Sequence, residues 1–381
     1  MIIELHLLQS FPVSNLNRDD VGQPKTATFG GHVRGRISSQ SLKRSARQLF
    51  KDYGLDKSEI GVRTKRLLDR VTENLAKDHD ADRARPVATA ALEHLGFGVD
   101  TDRGLTEYLL YVGQDAVDHL TSYCRDRWET LEALASAGSK TSKEKKTPKK
   151  KAKPDKATQA EARRILDASR AADIALFGRM IADNKDLNVA AASQVAHAIS
   201  THVVATEFDF YTAVDDLKPE AESGADMLGT IDFNSACYYR YANVDLVQLA
   251  ENLQGDLDLV HRTVCAWLLA FIHAVPSGKQ NSMAARTMPD TLLGVVRDRG
   301  AWNLANAFLR PVVGADIMVD STERLLEHFG KLRGFYGAEH IRTASAASVS
   351  GEIPVTEGVQ VATSLDAFTG AVLAGAGEYG R

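Results

Sequence analysis

The segment from Lys140 to Lys156 decides how this chain must be divided. It holds nine lysines, the two acids Glu144 and Asp155, and two prolines, Pro148 and Pro154, with almost no apolar side chain. Such a stretch has nothing to bury and reads as a disordered, exposed linker inside a longer helix-forming block. Its charge also disguises the rest of the protein. The 381 residues carry a net charge of −4, but outside this segment 37 basic residues face 48 acidic ones, a net of −11. A polyanion can then be held only by a segregated patch, not by general attraction. The lysine run itself has a second reading, weak and salt-sensitive attraction to nucleic acid.

One segregated patch is visible. From His32 to Lys51 there are six Lys or Arg and no Asp or Glu. His32 to Ile37 alternates as a strand, which puts Val33, Gly35 and Ile37 on one face and His32, Arg34 and Arg36 on the other. Ser38 or Ser39 then caps a helix with the apolar stripe Leu42, Ala46 and Leu49 or Phe50. The helix start offers unpaired backbone N–H groups and hydroxyls suited to phosphate. Lys43 and Arg47, four apart, share a helix face. Arg18 and Lys25, on the preceding loop, could extend the track. The same residues also fit an ordinary capped helix with a solvated basic face. Twenty residues without an acid favour binding, because solvated helices usually mix signs.

Elsewhere, residues 2–8 alternate, with Ile3, Leu5 and Leu7 inward and Glu4 and His6 outward, as in a half-buried strand. Residues 11–31 look like loop. Residues 58–135 read mainly as helix, resuming near Ala157. A mixture of short strands and turns follows over 172–250. Residues 257–274 form a strongly apolar helix, and a strand is expected at 279–287, with helices near 302–309, 321–332 and 364–374. A strand, a helix, a long insertion, then further strands suggest an α+β core of the split βαβ type. The three cysteines, Cys124, Cys237 and Cys265, supply neither a disulfide framework nor a paired metal motif. The N-terminus lacks the basic-then-apolar order of a secretory signal, and no run of about 18 apolar residues marks a membrane span. Cytoplasm is the expected compartment.

Several blocks resemble a known family. Residues 15–47, with Asn15-Leu16-Asn17-Arg18, Phe29-Gly30-Gly31 and Arg36-Ile37-Ser38-Ser39-Gln40-Ser41-Leu42-Lys43-Arg44, are similar to the CasC-type backbone subunits of type I-E CRISPR Cascade (the CT1975-like family of the RAMP superfamily). Asp173 to Met180, Ala196 to His202, Thr212 to Leu217, Tyr239 to Asn243, Pro276 to Gln280 and Leu304 to Phe308 continue the resemblance in the family's order.

The resemblance implies an RRM-like (ferredoxin-like) palm with a large inserted helical finger domain and a β-hairpin thumb. The palm would take residues 1–55 and 173–381. The finger would take 56–172 with its Lys-rich loop at 139–157, and the thumb about 203–231. It further implies a non-catalytic subunit that polymerises along CRISPR RNA (crRNA) and exposes the bases for a target DNA strand in antiviral defence. Its partners would be further copies of itself, a large PAM-reading subunit, small subunits and a crRNA-processing endonuclease, with no membrane and no cofactor. The guide-backbone contacts fall on Arg18, Lys25, Ser38, Gln40, Lys43 and Arg47, with Arg34 and Arg36 in the same track. Met180 matches a residue that wedges beside a kinked nucleotide, although Met is as often plain core filling. Phe210, Tyr211, Thr212 and Val214 fall on the thumb; packing of the two aromatics on a neighbouring subunit is the competing reading.

Other constellations are weaker. Tyr239, Arg240 and Tyr241 fit either a stacking surface or a packed strand with one salt-bridged Arg. Gly278-Lys279-Gln280 fails the Walker spacing, though Lys279 could meet a phosphate as a point charge. Asp19-Asp20 and Asp215-Asp216 are paired carboxylates that a divalent metal would accept, so a metal-dependent endoribonuclease of the RAMP superfamily is the alternative. For Asp19 and Asp20, pairing with Arg18 or capping the loop is the competing reading. His32, His197 and His202 have no nucleophile or second histidine at a telling spacing, and read as core or hydrogen-bonding groups.

Overall fold

The computed structural model describes residues 1–141, 155–167, 169–181, 185–213, 227–350 and 353–380. Most of the Lys-rich loop 139–157 lies outside the described residues, and so does its expected disorder. The chain divides into two compact units. One comprises Met1–Gly54, Ser193–Val247 and His261–Arg381; the other comprises Leu55–Ala192 with Gln248–Val260.

The first unit is built on a ten-stranded sheet. It opens with β1 (Ile2–Ser14), the hairpin β2 (Thr26–Phe29) and β3 (His32–Ile37), and helix α1 (Ser39–Leu49). In the second unit come β4 (Val62–Thr64), α2 (Leu67–Leu75), α3 (Ala81–His94), β5 (Val99–Asp100), β6 (Leu105–Thr106), β7 (Leu110–Val112), α4 (Ala116–Asp126), α5 (Trp128–Thr141), α6 (Lys156–Ile165) and α7 (Ala172–Phe177). The chain returns to the sheet with β8 (Ser193–Val195), β9 (Ala198–Ser200), β10 (Glu207–Ala213) and β11 (Met227–Asp245). Then follow α8 (Leu246–Asn252), α9 (Leu257–His273), α10 (Gln280–Met283), β12 (Thr291–Arg297), α11 (Ile317–Tyr336), β13 (Ile341–Ser348), β14 (Gln360–Val361) and α12 (Leu365–Gly375). No helix of the described residues is long and apolar enough to cross a membrane.

The sheet order is β14-β13-β12-β1-β11-β9-β3-β2, with β8 and β10 also on β11. Every pairing is antiparallel except β13 with β14. β1 is therefore central, held by β11 (Ile2 opposite Asp245) and β12 (Ile2 opposite Arg297). This alters the expected half-buried strand. Ile3 through Gln9 are all buried, Glu4 and His6 included. One face packs Leu8, Tyr239, Tyr241 and Val295 under Leu304, Phe308 and the α11 residues Leu325, Leu326 and Phe329. β1 also runs on to Ser14, into the stretch expected to be loop, through a register irregularity between Phe11 and Ser14.

The strand expected at 279–287 does not form. Gln280–Met283 is a single helical turn, and the strand is Thr291–Arg297, all seven residues buried. A strand covered on both faces loses its alternation, so periodicity cannot find it. Tyr239-Arg240-Tyr241 is a packed strand. Among the described residues Arg240 makes no salt bridge; it donates to the Gln9 side-chain oxygen and the Phe271 carbonyl, and burial pushes its pKa down to about 10.

The second unit has its own core, in which Leu67, Val71, Val87, Leu92, Leu120, Tyr123, Leu131 and Ile165 meet. The buried Asp173 accepts from the Gly61 N–H at 2.7 Å, tying α7 to the chain before β4.

Candidate nucleic-acid interface

The basic patch is assembled by backbone contacts that collect three separate stretches. Gly30 and Gly31 turn the β2–β3 hairpin with φ of 60° and 80°, a left-handed conformation that glycine adopts without the Cβ penalty. Gly30 is also a close approach: a Cβ there would lie 1.8 Å from the Leu309 carbonyl oxygen. β3 leads into Ser38, whose hydroxyl accepts from the Ser41 N–H at 3.4 Å and caps α1. The Asn17 side-chain oxygen accepts from the Ser38 N–H at 2.8 Å. The Lys25 N–H donates to the Asn17 carbonyl at 2.9 Å, and the Arg36 N–H to the Lys25 carbonyl at 2.8 Å. Arg18 bridges Pro24 within that loop. The loop with Arg18 and Lys25, the end of β3 and the start of α1 are thus one structure.

The side chains follow from this frame. α1 buries Leu42 and Ala46 and turns its other face outward. Gln40 and Arg44 are exposed, Lys43 and Arg47 partly so, and no acid lies in the first turn. Arg18 is exposed and Lys25 half-exposed. Arg36 donates from Nε to the Thr26 carbonyl at 3.1 Å and lies 3.2 Å from His197 Nδ1. Burial lowers the His197 pKa, and the charges of Arg36 and Lys25 lower it further. The imidazole is therefore neutral and can accept from Arg36. The sequence offered no signal for this pairing, because the two residues are 161 positions apart.

A further cation joins from the chain after α9. A Cβ on Gly278 would lie 2.3 Å from the Leu16 carbonyl oxygen. That close approach sets the exposed Lys279, itself at φ 52°, beside the loop that carries Arg18.

Arg34 is a correction. It is wholly buried, and its guanidinium donates to the carbonyls of Ser200 and Phe308, both at 2.8 Å, and of Leu309 at 3.5 Å. Alternation gives Arg34 a face, but segments from elsewhere in the chain cover that face, so its side chain is outside any exposed track. Ser38 is likewise largely buried, its hydroxyl engaged as the helix cap.

Met180 belongs to the second unit and is 85% exposed, so it is not core. Its neighbours fix its backbone. Arg179 is buried and donates to the carbonyls of Leu187, Tyr111 and Leu166, and the Ile181 N–H donates to the Asn188 side-chain oxygen. In the β10–β11 hairpin, Glu207 pairs with Phe233 and Ala213 with Met227. Phe208, Phe210, Tyr211 and Thr212 are exposed, and the Phe208 and Phe210 rings meet edge to face at 5.8 Å. Val214 lies outside the described residues, as do Asp215 and Asp216.

Asp19 is occupied by its own loop. Its Oδ1 accepts from the N–H groups of Val21 at 3.0 Å and Gln23 at 2.9 Å, the loop-capping alternative. No cluster of three His, Cys, Asp or Glu able to hold a metal occurs among the described residues.

Comparison with known proteins gives a consistent result. One solved chain, from a structure titled "CRISPR RNA-guided surveillance complex, pre-nicking", is 31% identical. It superposes with a TM-score of 0.82, covering 98% of this chain and 100% of that one. A second, from a "CRISPR RNA-guided surveillance complex", is 27% identical with a TM-score of 0.73, covering 97% and 98% respectively. No curated protein matches. The family model described as CT1975-like protein matches residues 3–370, and the chain accordingly belongs to the CT1975-like family.

Proposed function

We propose that this protein is a non-catalytic backbone subunit of a type I-E CRISPR surveillance complex. In this reading several copies follow one crRNA, each gripping its ribose-phosphate backbone and leaving the bases free to pair with target DNA. The observation that carries it is the cationic strip of Arg36, Lys43, Arg44 and Arg47 with Gln40, inside the acid-free stretch His32 to Lys51 and joined by Arg18 and Lys25 from the adjoining loop, on a chain whose remainder is net acidic. The likeness to surveillance-complex chains over the full length supports the same reading. The β10–β11 hairpin serves as the thumb that kinks the guide, and Met180 as the wedge beside the kink. The β1–β3 and β11–β13 core is the palm, and the helical unit the finger. The partners are the crRNA, further copies, the PAM-reading and small subunits, and the processing endonuclease, all in the cytoplasm. The engagement of Asp19 by turn amides counts against a metal-dependent nuclease.

Protein purified from cells expressing a CRISPR array tests this. It is expected to carry a uniform short RNA, with affinity falling steeply as salt rises because several phosphates are neutralised. Lys43→Glu should reduce RNA recovery at least tenfold with an unchanged circular dichroism spectrum. Unchanged recovery in the variant would refute the site.

A further inference from the structure

A second basic feature lies outside the strip. The turn after β12 that includes Phe308 runs opposite one face of α11. Between them is a cleft of about 420 Å³ lined by Asn306, Leu309 and Arg310 on one side and Arg324, Glu327, His328 and Lys331 on the other. The α11 residues fall at helical spacings of three and four, so they present a single face. Three cations and a histidine meet one acid. That acid, Glu327, is matched by Lys331 at 2.7 Å on the exposed rim, which leaves Arg310 and Arg324 as the excess charge. Arg324 donates from one nitrogen to the carbonyls of Arg310 at 2.9 Å and Pro311 at 3.2 Å. This anchors the wall of the cleft and leaves the guanidinium's other nitrogens for a ligand. Arg310 is exposed and makes no ion pair among the described residues.

The wall is fixed to the hairpin of the basic strip. The buried Arg34 guanidinium holds the Phe308 and Leu309 carbonyls, and Gly30 abuts Leu309. Arg310 is the next residue. Along the hairpin, Thr26 to Phe29 spans roughly 10 Å, a distance that a nucleic-acid strand covers in a couple of nucleotides.

We infer that this cleft is a second phosphate-binding station, in which Arg310 and Arg324 take a phosphodiester of the nucleic acid held by the strip. This rests on the RNA-binding reading above and extends its contact beyond the strip. The ligand chemistry is a nucleic-acid phosphodiester. Its source is either the bound RNA or a DNA strand paired with it.

The test measures the slope of log affinity against log salt for the full chain, with labelled single-stranded RNA and with the same RNA annealed to complementary DNA. Arg310→Ala is the informative variant, because its side chain is on the surface. Lys43→Ala is the reference. Losing one phosphate contact flattens the slope by about 0.7 to 1. The inference expects Arg310→Ala to flatten it by that amount. An effect on RNA alone assigns the station to the guide, and an effect only on the hybrid assigns it to the paired strand. If Lys43→Ala flattens the slope and Arg310→Ala does so on neither probe, the station is overturned while the strip stands. If the wild-type protein shows no salt-dependent RNA binding, both readings fall together.

Discussion

Glu4 and His6 lie on the buried central strand, and together they set how stability responds to pH. Glu4 accepts from the Tyr241 hydroxyl at 2.9 Å and from the Trp302 N–H, and its second oxygen is 3.7 Å from Arg297. Burial outweighs these contacts and raises its pKa from 4.5 to about 7. His6, beside the Tyr239 hydroxyl at 2.9 Å, is lowered from 6.5 to about 3, first by burial and then by Arg297. A raised carboxyl binds more protons folded than unfolded, so Glu4 stabilises least above pH 7 and its contribution falls as pH rises through 4.5 to 7. A depressed histidine does the reverse, and its contribution is lost as pH falls from 6.5 towards 3. At about 1.4 kcal/mol per pH unit each, the two nearly cancel between pH 4.5 and 6.5.

Glu4→Gln removes one side of that balance while keeping the acceptor for Trp302 and Tyr241. The attraction to Arg297 exists only when Glu4 is ionised, and it is already one of the causes that set the pKa near 7. Relative to wild type, the variant should gain on the order of 3 kcal/mol between pH 4.5 and 7.5. Urea unfolding at several pH values measures this, in a Trp128→Phe background so that emission reports Trp267 and Trp302 in the unit that holds Glu4. Parallel stability curves for the two proteins would show that Glu4 does not titrate as argued.

Two further perturbations probe the frame of the strip. Arg34→Met leaves the Ser200 and Phe308 carbonyls without their donor and should cost about 3 kcal/mol in thermal or denaturant unfolding; because Arg34 is buried, removing its charge should leave the salt slope of RNA binding by the folded protein as in wild type. Gly30→Ala combines a left-handed φ with a backbone clash at Leu309 and should cost at least about 2 kcal/mol, whereas Gly31→Ala, with nothing within 4 Å, should cost only about 1 kcal/mol. Equal losses at the two glycines, read from unfolding midpoints, would remove the argument from close approach.

Part of this protein is fixed by local order. His32 to Lys51 has the period of a strand, then a capping serine, then the period of a helix, and each of these forms where its residues stand. The absence of acids there is a property of composition alone. Periodicity assigns a side chain to a face, but what covers that face depends on residues far away in the chain. Arg34 and Arg36 share a face, yet Ser200 and Phe308 enclose the first while the second stays partly open beside His197. Glu4 and His6 alternate as solvent-facing residues do, but β1 is central and lies under Trp302 and Leu304, so they become a buried polar network. β12 carries no alternation because it is buried on both faces, and the approach of Gly278 to Leu16 spans more than 260 residues. Short-range spacing determined the elements of the strip, and burial between remote segments determined which of its charges remain available.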